Sequence, residues 1–412
     1  MTDDVRPRCR SCGKATLIDV LDLGRQPLAN AFPEATPDQP STGADAWPLC
    51  AVVCNECWLF QLLDSHIETA VVGEGGVNPS RTMSDHLRDF VATVIERLSL
   101  RPGDVVVDTA SHGGHLQSLF RESGISTLTL EGSPAHAAAA RRRGLSVEAG
   151  DVNAASAGRI VRGHGPARAF VDNYRLSHVV DPDAFLAGVR ALLAPGGMAV
   201  LEFDHVLPIL AERQFDAIRH GHFTYFGLAS LEAALRRNGL AVVTVEELSV
   251  YGGALRVWAG ADDGSPSEDT VATRVRDRER AAGLTDPSTY TVFAAAVRVA
   301  QGKLRAFLES ARSDGRLVVG YGAPSRASTL LNAARISADL LPFTVDASTA
   351  KQGRMIPGCG IPIRAPERLI AARPDDVLIL TWDIADEVVR SLPEVTAWGG
   401  RFLVPIPSVR VL

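Results

Sequence analysis

Hydrophobic and polar positions along the chain change their rhythm three times. From about Pro102, short apolar runs alternate with segments whose apolar residues recur every three or four positions. GDVVVDTASHGGHLQSLF reads as a buried strand, a glycine-bearing turn and an amphipathic helix. STLTLEGSPAHAAAARRRGL repeats the plan, with a strand ending in an acid and a helix starting at Ser133-Pro134. ARAFVDNYRLSHVVDPDAFLAGVRALLAPGGMAVLEF adds a strand, a loop, a helix, a PGG turn and another strand. Such βαβ succession predicts a doubly wound, mainly parallel sheet with ligands at the carboxyl ends of its strands.

The flanks read differently. Upstream, PLCAVVC alternates like a strand and CNECWLFQL runs into another. The intervening GRQPLANAFPEATPDQPSTG is rich in Pro, Gly and Ala and buries little by itself. Downstream, residues 265–310 read as charged amphipathic helices. RLVVGYGAPSRASTLLN, FTVDAS and DDVLILTWD then mark a second strand–turn–helix region. The expected division is 1–68, 69–264, a helical connector 265–310, and 311–412.

Length and composition narrow the functional classes. A chain of 412 residues exceeds one comfortable core. With 46% hydrophobic and 22% charged residues it is an ordinary globular sequence. A net charge of −6 with no basic stripe argues against nucleic acid. The start MTDDVRPRCR has no apolar core of a signal peptide, and no apolar run is long enough to span a bilayer. A cytoplasmic protein without a membrane partner is expected.

Cysteine placement changes the picture most. Five of the six cysteines fall early: Cys9, Cys12, Cys50, Cys54 and Cys57. Two Cys-x-x-Cys turns, Cys9/Cys12 and Cys54/Cys57, can each offer two thiolates to one tetrahedral zinc at roughly 2.3 Å. Metal would supply the stability that the poor core of this module lacks. Disulfides are disfavoured in the cytosol. Cys50 sits in a strand-like run and is expected to pack rather than ligate. A four-thiolate site is closed, hence structural.

In the middle region, one acid ends the first strand (Asp108), a glycine turn follows, and a second acid ends the next strand (Glu131). This order resembles class I S-adenosylmethionine (SAM) methyltransferases. The resemblance implies a Rossmann-like α/β domain holding SAM through Asp108, Ala110, His112, Gly114, Glu131, Gly132 and Asn173. Glu131 is the implied acceptor for the ribose hydroxyls. Where relatives carry E/D-x-G-x-G or EIGSNDG, this chain reads Asp108-Thr109-Ala110-Ser111-His112-Gly113-Gly114. Ala110 thus replaces a glycine that normally lets backbone approach the ligand.

Taken whole, the chain is similar to the nucleotide-sugar 3-C-methyltransferases of deoxysugar and antibiotic biosynthesis. The double knuckle, VDNYRLSHVVDPDAFLAGVRALLAPGGMAVLEF, HFTYFGLASLEAALRRNGL and GYGAPSRASTLLNAARISADLLPFTVDASTAKQGRMIPGCGIPI carry the likeness. It implies an N-terminal zinc module, a SAM domain and a second, C-terminal Rossmann-like α/β domain. The implied chemistry is removal of a proton beside a 4-keto group, then attack of the enolate carbon on the SAM methyl. His222, in the segment ending HFTYF, is the implied base. His178, from an Asn-x-x-x-x-His pattern starting at Asn173, is the implied partner for the enolate oxygen. His220 is an alternative base or relay.

Departures from the family cluster at the pocket. Tyr-x-Glu-His becomes Arg219-His220-Gly221-His222, and Arg219 suits a more acidic substrate. A tyrosine-rich stretch becomes Glu74-Gly75-Gly76-Val77-Asn78-Pro79-Ser80, and HGGSLR becomes Tyr251-Gly252-Gly253-Ala254-Leu255-Arg256. Either the substrate differs, or the enolate serves epimerisation or elimination, or the protein only binds a nucleotide sugar. Gly320-x-Gly322 lacks the third glycine of a dinucleotide fingerprint, so NAD is not expected. Contacts to a sugar or diphosphate are expected from Tyr225, Tyr321, Ser325, Arg326, Lys351 and Arg354, with Trp382 a packing residue. The implied partner is a small-molecule nucleotide sugar, and the protein a monomer or homodimer.

Overall fold

The computed structural model describes residues 7–34, 45–63, 80–109, 114–264 and 269–412, without the side chains of Ala135 and Ala139. Near the N-terminus, β1 (Leu17–Pro27), β2 (Ala46–Cys54) and β3 (Phe60–Leu62) form an antiparallel sheet. The first Cys-x-x-Cys turn precedes β1, and the second lies between β2 and β3. The run that alternates in sequence is β2, in which Cys50 faces Asp22 of β1 and is only partly buried.

The central sheet contains β4 (Val106–Thr109), β5 (Thr127–Glu131), β6 (Val147–Ala149), β7 (Ala167–Asn173), β8 (Leu193–Asp204), β10 (Leu240–Leu248) and β11 (Ala254–Ala261). Their order is β10-β11-β8-β7-β4-β5-β6, parallel from β8 to β6, with β11 antiparallel to both neighbours. Strands covered on both faces need continuous apolar runs, and all four residues of β4 are buried. Helices α1 (Arg81–Leu98), α2 (His115–Glu122), α3 (Pro134–Arg142), α4 (Ala154–His164) and α5 (Pro182–Leu192) connect and cover these strands. Helix α3 begins after Ser133, whose side chain accepts from His136 N, with Pro134 at the first helical position.

The expected PGG turn is instead part of β8. Gly196 takes a left-handed φ of 70°, and the register with β7 slips between Ala167–Leu193 and Ala169–Met198. A Cβ on Gly197 would stand 2.6 Å from the Ala167 carbonyl oxygen. The two glycines therefore make a bulge that α5 enters without a loop.

Two later segments tie the parts together. Strand β9 (Thr224–Tyr225) leaves the central region and becomes the fourth strand of the N-terminal sheet, with Tyr225 opposite Phe60. Helices α6 (Val206–Ala211) and α7 (Leu228–Arg237) flank it. After α8 (Thr270–Ala281) comes α9 (Pro287–Ser313), in the stretch expected to be a connector. Its buried residues Tyr290, Phe293, Val297, Leu304 and Leu308 follow helical spacing. They enter one apolar cluster with Leu21 and Phe60 of the N-terminal sheet and Leu378 and Leu403 of the C-terminal region.

The third sheet is β14-β13-β12-β15-β16-β17, built from β12 (Val318–Tyr321), β13 (Thr344–Val345), β14 (Ile363–Arg364), β15 (Asp376–Ile379), β16 (Arg401–Val404) and β17 (Arg410–Val411). It is parallel except at β17. Helix α10 (Ser325–Ala333) starts just past β12, with α11 (Glu367–Ala372), α12 (Ala385–Ser391) and α13 (Pro393–Ala397) following. Glu387 of α12 accepts from the backbone N–H groups of Arg81 and Thr82, capping α1 from another sheet's territory. No helix of the described residues is long and apolar enough to cross a membrane.

Candidate active site

The four knuckle cysteines converge. Their Sγ atoms all lie within 4.8 Å of one another, with Cys9–Cys57 and Cys12–Cys54 at 3.5 Å. A tetrahedral zinc with 2.3 Å bonds needs sulfurs about 3.8 Å apart, so the donor set fits that ion. Gln61 donates to Cys9 Sγ at 3.3 Å and Glu56 N to Cys54 Sγ at 3.4 Å, contacts that orient thiolates. The cluster is far in sequence from the reacting groups but holds β3, and through β3 the strand Thr224–Tyr225.

At the carboxyl edge of the central sheet, Asp108 and Glu131 end the neighbouring parallel strands β4 and β5. Asp108 is buried, and neither carboxylate oxygen has a hydrogen-bond partner among the described residues. Burial pushes its carboxyl up to about 6. Glu131 accepts from Ser133 N at 2.7 Å through Oε1. A buried acid flanked by the Thr129 and Thr127 hydroxyls and a second acid on the next strand, beside the point where strand order reverses, fit the polar end of SAM. Gly114 caps α2 with φ 84°, and a Cβ there would meet Leu145 Cδ1 at 2.5 Å. At Gly132 an added Cβ would collide with the Asp151 carboxylate. Ala110, His112 and the glycine-rich stretch 74–79 lie outside the described residues; Ser80 caps α1 by accepting from Met83 N.

On the adjoining edge, the turn Arg175–His178 leaves β7 and meets the segment before β9. Phe223 N donates to Ser177 O at 2.7 Å, and Thr224 Oγ1 to Leu176 O at 3.3 Å. The rings of His178 and His222 stand edge to face, centroids 4.1 Å apart at 84°. His178 Nδ1 lies 2.7 Å from Gly221 O; Arg219 Nη2 lies 2.6 Å from His222 Nε2. Asp204 Oδ2 is 3.8 Å from His222 Nδ1. Burial, then Arg219 and Arg175, pulls His178 down to about 3. Burial, then Arg219 and His178, holds His222 well below the usual histidine range. Both rings are therefore neutral at physiological pH. His220 is turned away: its Nε2 lies 3.0 Å from Pro48 O, and its ring packs edge-on against Trp47.

The C-terminal sheet presents its own carboxyl edge to this pair. Arg326, at the start of α10, is buried with its guanidinium over Trp382 and 3.9 Å from Asp216 Oδ2. Trp382 Nε1 donates to the same oxygen at 2.7 Å. Burial raises the carboxyls of Asp216 and Asp204, and Arg326 opposes it in both. Tyr225 donates its hydroxyl to Ala217 O at 3.1 Å and its ring lies 6.0 Å from that of His222. A cleft of about 510 Å³, bordered by Gln214, Gly252, Trp382 and Asp383, opens beside the cluster, and none of the histidines lines it.

The other expected substrate residues divide. Tyr321 ends β12 and Ser325 starts α10, at the carboxyl edge of the C-terminal sheet, and neither lines the cleft. Lys351 instead donates to Ala323 O at 2.9 Å and lies over Phe32, and Arg354 donates to Phe32 O at 3.0 Å. Those two pin the loop after β1, and among the described residues no contact joins them to the histidine pair.

Sequence reading missed one buried network. Glu202, at the end of β8, takes Arg256 Nε at 2.7 Å and His86 Nε2 at 2.9 Å, and also accepts from Asn173 Nδ2. Arg256 reaches Glu246 at 3.0 Å. Asn173 thus faces Glu202 rather than standing alone. The available signal was a glutamate inside the apolar run MAVLEF and an arginine inside ALRVWAG, since buried charges require partners.

Three family profiles match: "Putative zinc binding domain" over residues 9–67, "Methyltransferase domain" over 83–245, and "C-methyltransferase C-terminal domain" over 249–407. The C-methyltransferase NovU of Streptomyces niveus is 33% identical over 417 residues, covering 100% of this chain and 99% of its own. Among solved structures, a SAM-dependent methyltransferase from Clostridium acetobutylicum is 10% identical, over 43% of this chain and 92% of its own, with TM-score 0.33. The glycopeptide N-methyltransferase MtfA is 16% identical, over 42% and 90%, with TM-score 0.33.

Proposed function

The chain belongs to the SAM-dependent C-methyltransferases, and from that premise we propose that it methylates a carbon beside the keto group of a nucleotide-linked 4-ketosugar. The observation that carries this reading is the pair of mutually braced histidines beyond the carboxyl end of β7, their rings edge to face and their nitrogens held by Gly221 O and Arg219. A neutral imidazole can accept a proton, and a ketone is what makes a neighbouring C–H acidic enough to give one.

Glu131 and Asp108 would hold SAM at the ends of β4 and β5. When bound, SAM supplies an electrophilic methyl group on sulfur, which keeps the electron pair of the broken carbon–sulfur bond. One histidine takes the proton; the C–H electron pair becomes the enolate double bond, and the carbonyl π pair moves to oxygen. Arg326, buried at the start of α10 with its guanidinium over Trp382, suits the polar part of a nucleotide sugar, with Tyr321 and Ser325 as further candidates from the C-terminal sheet. Zinc on Cys9, Cys12, Cys54 and Cys57 would staple the sheet that supports β9.

Purified protein incubated with SAM and dTDP-4-keto-6-deoxyglucose should yield a sugar one methylene heavier, together with S-adenosylhomocysteine. Unchanged sugar mass across several dTDP- and UDP-linked 4-ketosugars overturns the proposal. Deuterium entering the sugar from heavy water without S-adenosylhomocysteine would point to epimerisation through the same enolate.

A further inference from the structure

We infer that His178, through Nε2, is the base that removes the substrate proton, and that Arg219 locks His222 beside it as a positioning residue. The identity of the proton rests on the enolate reading above; the assignment of the two rings rests on their hydrogen bonds.

A guanidinium can only donate. Arg219 Nη2 at 2.6 Å therefore consumes the lone pair of His222 Nε2 and leaves the ring's proton on Nδ1. That N–H faces Asp204 at 3.8 Å, beyond hydrogen-bond distance. His222 is also 2% exposed. For it to act as base, Arg219 would have to leave, although Nη1 is tied to Ala217 O at 3.1 Å and its backbone N to Tyr225 Oη at 3.2 Å.

His178 is the converse case. A carbonyl oxygen can only accept, so Gly221 O at 2.7 Å places the proton of His178 on Nδ1. The lone pair is then on Nε2, which takes no protein partner among the described residues, and the residue is partly exposed. A backbone carbonyl on Nδ1 is a common way to orient a histidine that works through Nε2. Gly221 has φ 87°, a conformation that disfavours any residue with a side chain. The position where relatives place a glutamate thus delivers a carbonyl, and delivers it to the other histidine. His222, edge-on at 4.1 Å, fixes the plane of the working ring. The proton received on Nε2 has a route to solvent through the exposed side of His178.

Diethylpyrocarbonate, which acylates accessible neutral imidazoles, tests the arrangement without substrate. Mass mapping of the wild-type protein should find His178 labelled and His222 protected, with R219Q opening His222. In heavy water with dTDP-4-keto-6-deoxyglucose and S-adenosylhomocysteine, H178N should lose about 10²–10⁴-fold in exchange of the carbon-bound hydrogen. H222N, which keeps a donor at the Nδ1 position, should lose about tenfold or less. Labelling of His222 before His178, or H222N losing as much as H178N, overturns the inference. If the wild-type protein exchanges no hydrogen, the ketosugar reading falls, while the labelling order still decides between the two rings.

Discussion

The donor and acceptor parts of the candidate site are built in different ways. Asp108 and Glu131 occupy the last turns of two adjacent parallel strands, and the strand–turn–helix units that place them are continuous in sequence. The acceptor end is assembled from Arg175–His178, the segment from Asp204 to Tyr225, Arg326 and Trp382, drawn from two sheets and braced by a third. Recognition of the methyl donor is therefore a local property of the fold. Acceptor chemistry depends on how three regions are held together. A chain can rewrite Tyr-x-Glu-His as Arg219-His220-Gly221-His222 and keep Asp108 and Glu131 on adjacent parallel strands.

The largest expected effect breaks the two ends apart. Stripping zinc with a strong chelator, or substituting Cys54→Ser, removes the staple of the sheet that pairs Phe60 with Tyr225. Structural zinc contributes on the order of 10 kcal/mol in small modules, so methyl transfer should be abolished. Calorimetry should still record SAM binding; loss of both together would show that the donor end is not independent. The reverse separation comes from Glu131→Ala. Loss of a charged hydrogen-bond acceptor should raise the SAM dissociation constant about 10–100-fold. Hydrogen exchange of the ketosugar should persist, because that carboxylate touches no acceptor residue.

A pH experiment isolates the acceptor side. In the unfolded chain His178 takes up a proton near pH 6.5, whereas in the folded protein it stays neutral down to about 3. Between those values the unfolded chain binds more protons. The stability due to a neutral His178 is complete above pH 6.5 and falls with pH, by up to about 2 kcal/mol at pH 5. Denaturant melts of wild type and His178→Asn should converge over that range. Asp108 and Asp172, both raised to about 6 by burial, act in the opposite direction in each protein and cancel in the difference. A constant gap between the two melts would refute the neutral buried ring. The smallest effect is Trp382→Phe, which keeps a ring beneath Arg326 but removes the donor to Asp216. One hydrogen bond of about 1 kcal/mol predicts a roughly five-fold rise in acceptor KM with little change in SAM binding.

Much of this was legible in the chain itself. Alternation of apolar runs and amphipathic segments outlined the doubly wound sheet, and Ser133-Pro134 marked the start of α3, because strand and helix periods and caps are written in neighbouring residues. Other elements were not. The PGG stretch reads as a turn, yet the bulge in β8 depends on the Ala167 carbonyl of another strand. Residues 265–310 read as a helical connector, yet the apolar stripe of Pro287–Ser313 enters the core shared by the N-terminal and C-terminal regions. Lys351 and Arg354 looked like an anion-binding turn, and each gives one hydrogen bond to backbone, at Ala323 O and Phe32 O.

The histidines entered through the family resemblance, whereas the sequence by itself determined the two Cys-x-x-Cys turns and the acids near the ends of β4 and β5. Spacing within a turn or strand is enough to specify those. Tertiary structure decided which nitrogen of each ring keeps its lone pair. That choice belongs to the partner: a carbonyl leaves His178 Nε2 open, a guanidinium closes His222 Nε2, and Pro48 draws His220 away.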